Sequence, residues 1–194
     1  MTLYPTETIY GLGVNVLDDA ALAALFQLKG RDERKTVSWG VRDLADIETY
    51  AVVSESARRL VEAFLPGPLT LVLPAAANVP LDRQAPDRTV GFRIPGDAVA
   101  QQTIADFMAT HGAPLTCTSA NVSGEAVPET PAAILEQFTA AGRDTSVITQ
   151  VVDDGPRYGV PSTVVRVVGE DITVHREGAI SAAAIWHAAH NPQS

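Results

Sequence analysis

The feature that most constrains the fold is the regular alternation of strand-type and helix-type segments along all 194 residues. LTLVLP (69–74) and TVGFRIP (89–95) are continuous apolar runs, which is typical of strands in the interior of a sheet. Helices with a capping residue, or with Gly or Pro at one end, are predicted at 20–28, 43–50, 54–65, 98–110 and 130–141. Further strands are predicted in KTVSWGV, PLTCTS, VITQVVDDG, STVVRVV and ITVHRE, the last two as a hairpin across GED. This order predicts a three-layer α/β domain with a mixed sheet.

Composition excludes several classes of protein. No run of 18 or more apolar residues occurs, and MTLYPTET lacks the regions of a signal peptide, so we expect a cytoplasmic protein without a membrane span. The single cysteine, Cys117, excludes an internal disulfide and cannot hold zinc alone, and its apolar flanks indicate an inert, buried thiol. The formal charge of −9 disfavours a surface that coats nucleic acid.

The first segment that could carry chemistry is YPTETIYGLG (4–13), a strand-to-loop junction rich in hydroxyl groups. Its glycines allow a ligand to approach the backbone closely, and the hydroxyls of Thr6 and Thr8 can donate to a carboxylate or a phosphate. An ordinary turn with a threonine cap explains the same residues. The segment alone therefore leaves both interpretations open.

The second segment is LKGRDERK (28–35), which follows a predicted helix and contains four cations: Lys29, Arg31, Arg34 and Lys35. Lys29 and Lys35 are the only lysines in an acidic chain, and adjacent ammonium and guanidinium groups suit a polyphosphate. Cations are also favoured at the carboxyl end of a helix, so compensation of the helix dipole is the alternative. No GxxxxGK[ST] sequence occurs, which excludes a Walker loop.

The third segment is TCTSANVSG (116–124), in which Ser119, Asn121 and Ser123 follow a predicted buried strand. Ligands of open α/β sheets bind in loops beyond the strand ends, where small hydroxyl and amide groups can hydrogen-bond to a nucleotide. A Ser/Asn-rich turn without a ligand is the alternative.

Single residues elsewhere add to these segments. Arg93 lies in an apolar strand, where an unpaired charge is costly, so we expect it to face an anion or a carboxylate. Thr89 in the same strand, Ser162 in GVPSTVV and Arg176 in HREGAI carry no signal when each is considered alone. The histidines have no convincing metal-ligand spacing, so we predict no protein metal site.

Taken in order, seven blocks resemble the signature of the YrdC family, the threonylcarbamoyl-AMP synthases: PTETIYGLG, KGRDERK, LPGPLTLVL, TVGFRIP, TSANVSG, PSTVV and REGAI. The resemblance spans about residues 4–181. It implies a single YrdC-like three-layer α/β domain over 1–194, with a twisted mixed β-sheet, helices on both faces and a concave ligand cleft. It also implies that the family's usual amino-terminal helix, and the further carboxyl-terminal domain of longer members, are missing from this sequence.

The resemblance further implies an activity. Members of the family combine L-threonine, bicarbonate and ATP into L-threonylcarbamoyladenylate and pyrophosphate, which makes them nucleotidyltransferases without a protein nucleophile. The product serves a downstream threonylcarbamoyl transferase complex that modifies transfer RNA. Mg²⁺ is implied as the ion carried with ATP. Transfer RNA or double-stranded RNA is a further candidate partner.

Positions that match the family's blocks imply two groups of site residues. The ATP-binding group is Lys29, Arg31, Lys35, Thr89, Ser119, Asn121 and Arg176. The threonine-binding group is Thr8, Arg93, Cys117 through its backbone, and Ser162.

The chain departs from the family because Thr36 and Gly40 stand where many members have proline and histidine. A non-catalytic RNA-binding paralogue, or a carbamoyl-transfer enzyme with another acceptor, therefore remain alternatives.

Overall fold

The computed structural model describes residues 1–32 and 35–190, so Arg34 of the second segment lies outside the described residues. Within these ranges the ten strands are β1 (Thr2–Tyr4), β2 (Gly11–Gly13), β3 (Trp39–Gly40), β4 (Leu69–Pro74), β5 (Thr89–Arg93), β6 (Leu115–Thr116), β7 (Thr118–Ser119), β8 (Gln150–Val151), β9 (Thr163–Val168) and β10 (Asp171–Arg176). The six α-helices are α1 (Asp19–Lys29), α2 (Leu44–Tyr50), α3 (Glu55–Phe64), α4 (Ala98–His111), α5 (Pro131–Ala140) and α6 (Ala182–His190).

The strands form two mixed sheets. The first sheet has the order β7-β2-β1-β8, and the second has the order β10-β9-β4-β5-β3-β6. The α/β class and the mixed pairing are thus confirmed, but the structure divides between two sheets the strands that the sequence assigned to one. The predicted hairpin across GED is also confirmed, because β9 and β10 pair in antiparallel fashion.

The helices begin where their caps predict. Each of the first five accepts a hydrogen bond on the side chain of its N-cap residue, namely Asp18, Asp43, Ser54, Asp97 and Thr130. Helix α1 ends at Gly30, whose φ of 59° lies in the left-handed region that glycine adopts without strain. This turn directs the chain away from the helix directly between Lys29 and Arg31.

Two large apolar cores hold the sheets and helices together. One core packs α2, α3 and α6 against the second sheet, and the other packs α1 and α5 against the first sheet. Helix α4 packs with Tyr4 and Leu115, which lie in different sheets, and so covers the place where the sheets meet. No helix in the described part of the chain has the length and apolar character that a membrane crossing needs.

The chain passes from one sheet to the other at Cys117. This residue separates β6, in the second sheet, from β7, in the first, so the predicted PLTCTS strand is broken in its middle. The hydroxyl of the preceding Thr116 donates to the carbonyl of Leu12 at 2.8 Å and accepts from the backbone N–H of Val14 at 3.1 Å. These bonds fix the angle at which the chain changes sheets.

Candidate functional site

A cleft with a volume of about 470 Å³ lies where the two sheets meet, and all three predicted chemical segments contribute to it. Its lining includes Thr6, Arg31, Arg93, Cys117, Ser119, Asn121, Ser162 and Arg176. A recess of about 460 Å³ shares Arg31, Ser119 and Asn121 with the cleft and adds Lys29, Lys35, Ser123 and Gly124. A groove of about 680 Å³ runs along α4, but it contains none of the predicted site residues.

Arg93, at the end of β5, forms one end of the cleft. Its side chain is buried, and its Nη2 donates to Glu7 Oε1 at 2.9 Å and to Thr8 Oγ1 at 2.7 Å. The expectation that Arg93 faces a carboxylate is therefore confirmed, with Glu7 as the partner. The Arg93 Nε is buried and makes no hydrogen bond within the described residues, so part of the donor capacity of the guanidinium is unused there.

Ser162 and Arg176 form the wall beside Arg93. The Ser162 hydroxyl lies 2.9 Å from the hydroxyl of Thr70, and Arg176 Nη2 donates to the Ser162 carbonyl at 2.8 Å. Burial lowers the pKa of Arg176, and the nearby Arg93 guanidinium lowers it further. Two guanidinium groups in one half-closed cleft create a strong preference for a negatively charged ligand.

Cys117 is half-buried and lines the cleft between its two ends. Its backbone N–H donates to the Ser38 carbonyl at 2.7 Å, so that atom has a partner in the protein. Nearby, the Tyr4 hydroxyl donates to the Thr116 carbonyl at 3.1 Å, and burial raises the pKa of Tyr4.

Lys29 occupies the other end, beneath the recess, and its side chain is directed into the protein. Its Nζ donates to the carbonyls of Ser119 and Asn121, the latter at 3.0 Å, and to Asn121 Oδ1 at 3.1 Å. Burial lowers the pKa of Lys29 to about 7, and the adjacent Arg31 guanidinium contributes to the lowering.

Arg31 and Lys35 point toward the open side of the recess. Arg31 Nη2 donates to the Thr36 carbonyl at 2.8 Å, whereas its Nε is buried without a hydrogen bond within the described residues. Burial lowers the pKa of Arg31. Lys35 is exposed at the rim. The structure thus brings the three described cations of the second segment, Lys29, Arg31 and Lys35, to the loop of the third.

Two predicted residues lie outside the open cleft. Thr89 is buried at the opposite end of β5 from Arg93, about 13 Å away along an extended strand, and its hydroxyl donates to Asp87 Oδ1 at 2.7 Å. The structure therefore does not bring Thr89 to the candidate ATP site. Thr8 lies behind the cleft surface, where it orients Arg93.

Two further residues were not predicted from the sequence: Thr70, which lines the cleft, and Arg157, which ties a neighbouring loop to the first segment. Thr70 is a buried polar residue in the otherwise apolar β4, and that mismatch was the available signal. Arg157 had no signal, because it lies in a loop without periodicity. Its Nε donates to the Thr6 carbonyl at 3.0 Å and its Nη2 to Asp97 Oδ2 at 3.1 Å, which ties the loop before Ser162 to the first segment.

The fold and the cleft define an α/β protein with a cleft lined by the guanidinium groups of Arg31, Arg93 and Arg176. A family model described as telomere recombination, for Sua5, YciO and YrdC, matches residues 1–178. The chain belongs to the Sua5/YciO/YrdC family.

Two relatives are similar to this chain in sequence. A protein of Methanocaldococcus jannaschii, named provisionally as a threonylcarbamoyl-AMP synthase, is 34% identical over 176 residues, which cover 90% of this chain and 78% of the relative. The threonylcarbamoyl-AMP synthase of Pyrococcus abyssi is 34% identical over 167 residues, which cover 85% of this chain and 46% of that protein.

Two solved structures are similar to this chain in fold. The crystal structure of P. abyssi Sua5 complexed with L-threonine matches with a TM-score of 0.83 and 31% identity, over 96% of this chain and 53% of that one. The chain therefore spans about half the length of the P. abyssi protein. E. coli YciO, with a TM-score of 0.80 and 24% identity over 95% of this chain and 85% of YciO, supports the fold alone.

Proposed function

We propose that this protein is a threonylcarbamoyl-AMP synthase that forms L-threonylcarbamoyladenylate and pyrophosphate from L-threonine, bicarbonate and ATP. The observation that carries the proposal is a cleft with a buried guanidinium, Arg93, at one end and an adjoining cationic recess that shares Arg31, Ser119 and Asn121 with it. The family membership and the L-threonine complex of the P. abyssi relative support it.

The two ends of the cleft suit the two charged substrates. The carboxylate of L-threonine would lie against Arg93, with Ser162 beside it, and the phosphates of ATP would lie in the recess with Arg31 and Lys35. Mg²⁺ would enter with the triphosphate and neutralise part of its charge. Among the described residues no group of three or more His, Cys, Asp or Glu side chains is arranged to hold a metal ion.

The reaction then requires orientation more than a protein nucleophile. The amino nitrogen of threonine attacks the carbon of bicarbonate, water leaves, and an oxygen of the resulting carbamate attacks the α-phosphorus of ATP as pyrophosphate leaves. Each step joins two bound reactants, so proximity and neutralised charge account for much of the expected acceleration. The enzyme would be a nucleotidyltransferase that supplies a transfer RNA modification, and a threonylcarbamoyl transferase would consume its product.

The test is pyrophosphate release from Mg-ATP, with L-threonine, bicarbonate or both omitted. We expect release only with all three present, and a mass spectrum that contains the threonylcarbamoyl adduct of AMP. Serine in place of threonine tests the choice of amino acid. Release that ignores bicarbonate would exclude the synthase, whereas bicarbonate-dependent release that ignores threonine would favour transfer to another acceptor. Absence of release together with salt-sensitive binding of transfer RNA would favour the RNA-binding paralogue.

A further inference from the structure

All three N–H donors of the Lys29 ammonium have hydrogen-bond acceptors inside the protein. A protonated lysine side chain has three N–H donors and no acceptor. In the structure these donors meet three acceptors on the loop after β7, namely the carbonyls of Ser119 and Asn121 and the Oδ1 atom of Asn121. Only 1% of Lys29 is exposed. A phosphate could reach this ammonium only if the loop first gave up one of its bonds.

Further bonds connect the same helix end to the same loop. The backbone N–H of Ser123 donates to the Lys29 carbonyl at 2.8 Å, so Lys29 bonds to the loop through its main chain as well as its side chain. The Ser119 hydroxyl donates to Asn121 Oδ1 at 2.6 Å, and Asn121 Nδ2 donates to the Glu125 carbonyl at 2.6 Å. Without a ligand, Asn121 Oδ1 thus already accepts hydrogen bonds from Lys29 and Ser119, and its Nδ2 already donates one to Glu125.

We propose that Lys29 is a positioning residue that fixes the loop at 119–125 on the carboxyl end of α1. In this assignment, which rests on the proposed function where it concerns ATP, the side chains of Arg31 and Lys35 contact the phosphates. The exposed turn of Ser123 and Gly124 lies opposite them in the recess and supplies a hydroxyl and a backbone N–H. The burial of the ammonium supports a structural role. The free-energy cost of removing a charge from water is offset only when well-placed acceptors surround it.

The two lysines of the chain provide a matched pair of variants. Lys29→Met removes the buried ammonium, and Lys35→Met makes the same chemical change at the exposed rim of the same recess. We expect the amides of 119–125 in ligand-free Lys29→Met to exchange with deuterium at least about tenfold faster than in the wild type. Lys35→Met should leave this exchange unchanged while it weakens the binding of Mg²⁺ with a non-hydrolysable ATP analogue.

A second variant separates position from charge. Lys29→Arg keeps the positive charge, but its planar guanidinium cannot direct three N–H groups at the same converging acceptors. We expect fast exchange in 119–125 and weaker binding of the analogue for this variant too. Normal exchange in Lys29→Met with lost analogue binding, or full binding by Lys29→Arg, would show direct phosphate contact and overturn the proposal.

Circular dichroism and thermal melting identify a variant that has not folded. If Lys29→Met fails this control, Lys29→Arg alone decides between the two outcomes. The exchange experiment uses ligand-free protein, so its result does not depend on whether the wild type releases pyrophosphate. A failure of the proposed function and a failure of this inference are thus distinguishable.

Discussion

The two ends of the cleft both contain a buried cation, but they hold it in different ways. Arg93 lies in a five-residue strand and pairs with a carboxylate, Glu7, which lets its guanidinium face the open cleft. Lys29 ends a helix and is surrounded by carbonyl oxygens, which leaves it no donor for a ligand. Positive charge in a cleft therefore does not by itself identify the group that contacts the substrate. The partners of each cation decide its task.

The largest expected effect concerns Arg93→Met, which would break the ion pair at the first end. Glu7 would then remain partly buried without its counter-ion, so we expect a loss of about 3 kcal/mol in the free energy of unfolding and no threonine-dependent release. Urea denaturation and pyrophosphate release measure the two effects.

Two variants serve as controls for this loss. Arg58→Met removes an exposed ion pair with Glu48 and should leave stability nearly unchanged. The double variant Arg93→Met with Glu7→Gln should regain part of the lost stability, because the isolated carboxylate is gone. Equal losses in the single and double variants would show that the ion pair is not the cause.

At the second end, Arg31→Ala should lower kcat/KM for ATP at least about tenfold, because a charged hydrogen bond contributes about 1.5–3 kcal/mol. The melting temperature should change little, because the Arg31 side chain makes only one hydrogen bond with the described residues, to the Thr36 carbonyl. Steady-state kinetics with thermal melting as the control provide the measurement. Unchanged ATP use would remove Arg31 from the phosphate site.

The depressed pKa of Lys29 predicts a pH effect on stability. Between pH 7 and 10.5 the unfolded chain keeps the lysine proton that the folded protein has partly lost, so stability should rise with pH in this window. The rise should be about 1 kcal/mol from pH 7 to pH 8 in the wild type, and it should be missing in Lys29→Met. Parallel urea titrations of both proteins measure it. Identical slopes would mean that Lys29 does not titrate in this range.

The smallest effect is expected for Ser162→Ala. The substitution removes a hydroxyl that lines the cleft beside Arg93, so the KM for threonine should rise about threefold to tenfold while kcat and the KM for ATP stay the same. The matched comparison is Thr70→Val, which removes the partner hydroxyl but leaves Ser162 in the cleft. A larger effect on ATP than on threonine would place Ser162 at the other end.

Local signals in the sequence predicted the parts of the fold that depend on neighbours in the chain. The caps Asp18 and Ser54 predicted helix starts to within about two residues, because a cap and its helix are adjacent. The division into two sheets could not be predicted, because β7 and β8 have two residues each and pair only with distant parts of the chain. Helix α6 was not predicted from the sequence.

The candidate site shows the same division between local and distant information. The motifs predicted most of the side chains that gather at the cleft and its recess, whereas Thr89 lies away from them and Thr8 lies behind the cleft surface against Arg93. The length of β5 separates Thr89 from Arg93, even though alternate residues of a strand share a face. The sequence also could not predict that the Lys29 side chain points inward, because its three acceptors lie about 90 positions further along the chain.

The crossing at Cys117 also bears on how a ligand would stabilise the folded protein. Each sheet has its own apolar core, and this residue is a covalent joint between them. A ligand in the cleft would contact groups from both sheets and would therefore link the two sheets non-covalently. At a concentration of about 100 times its dissociation constant it would add about 3 kcal/mol to the stability of the folded form.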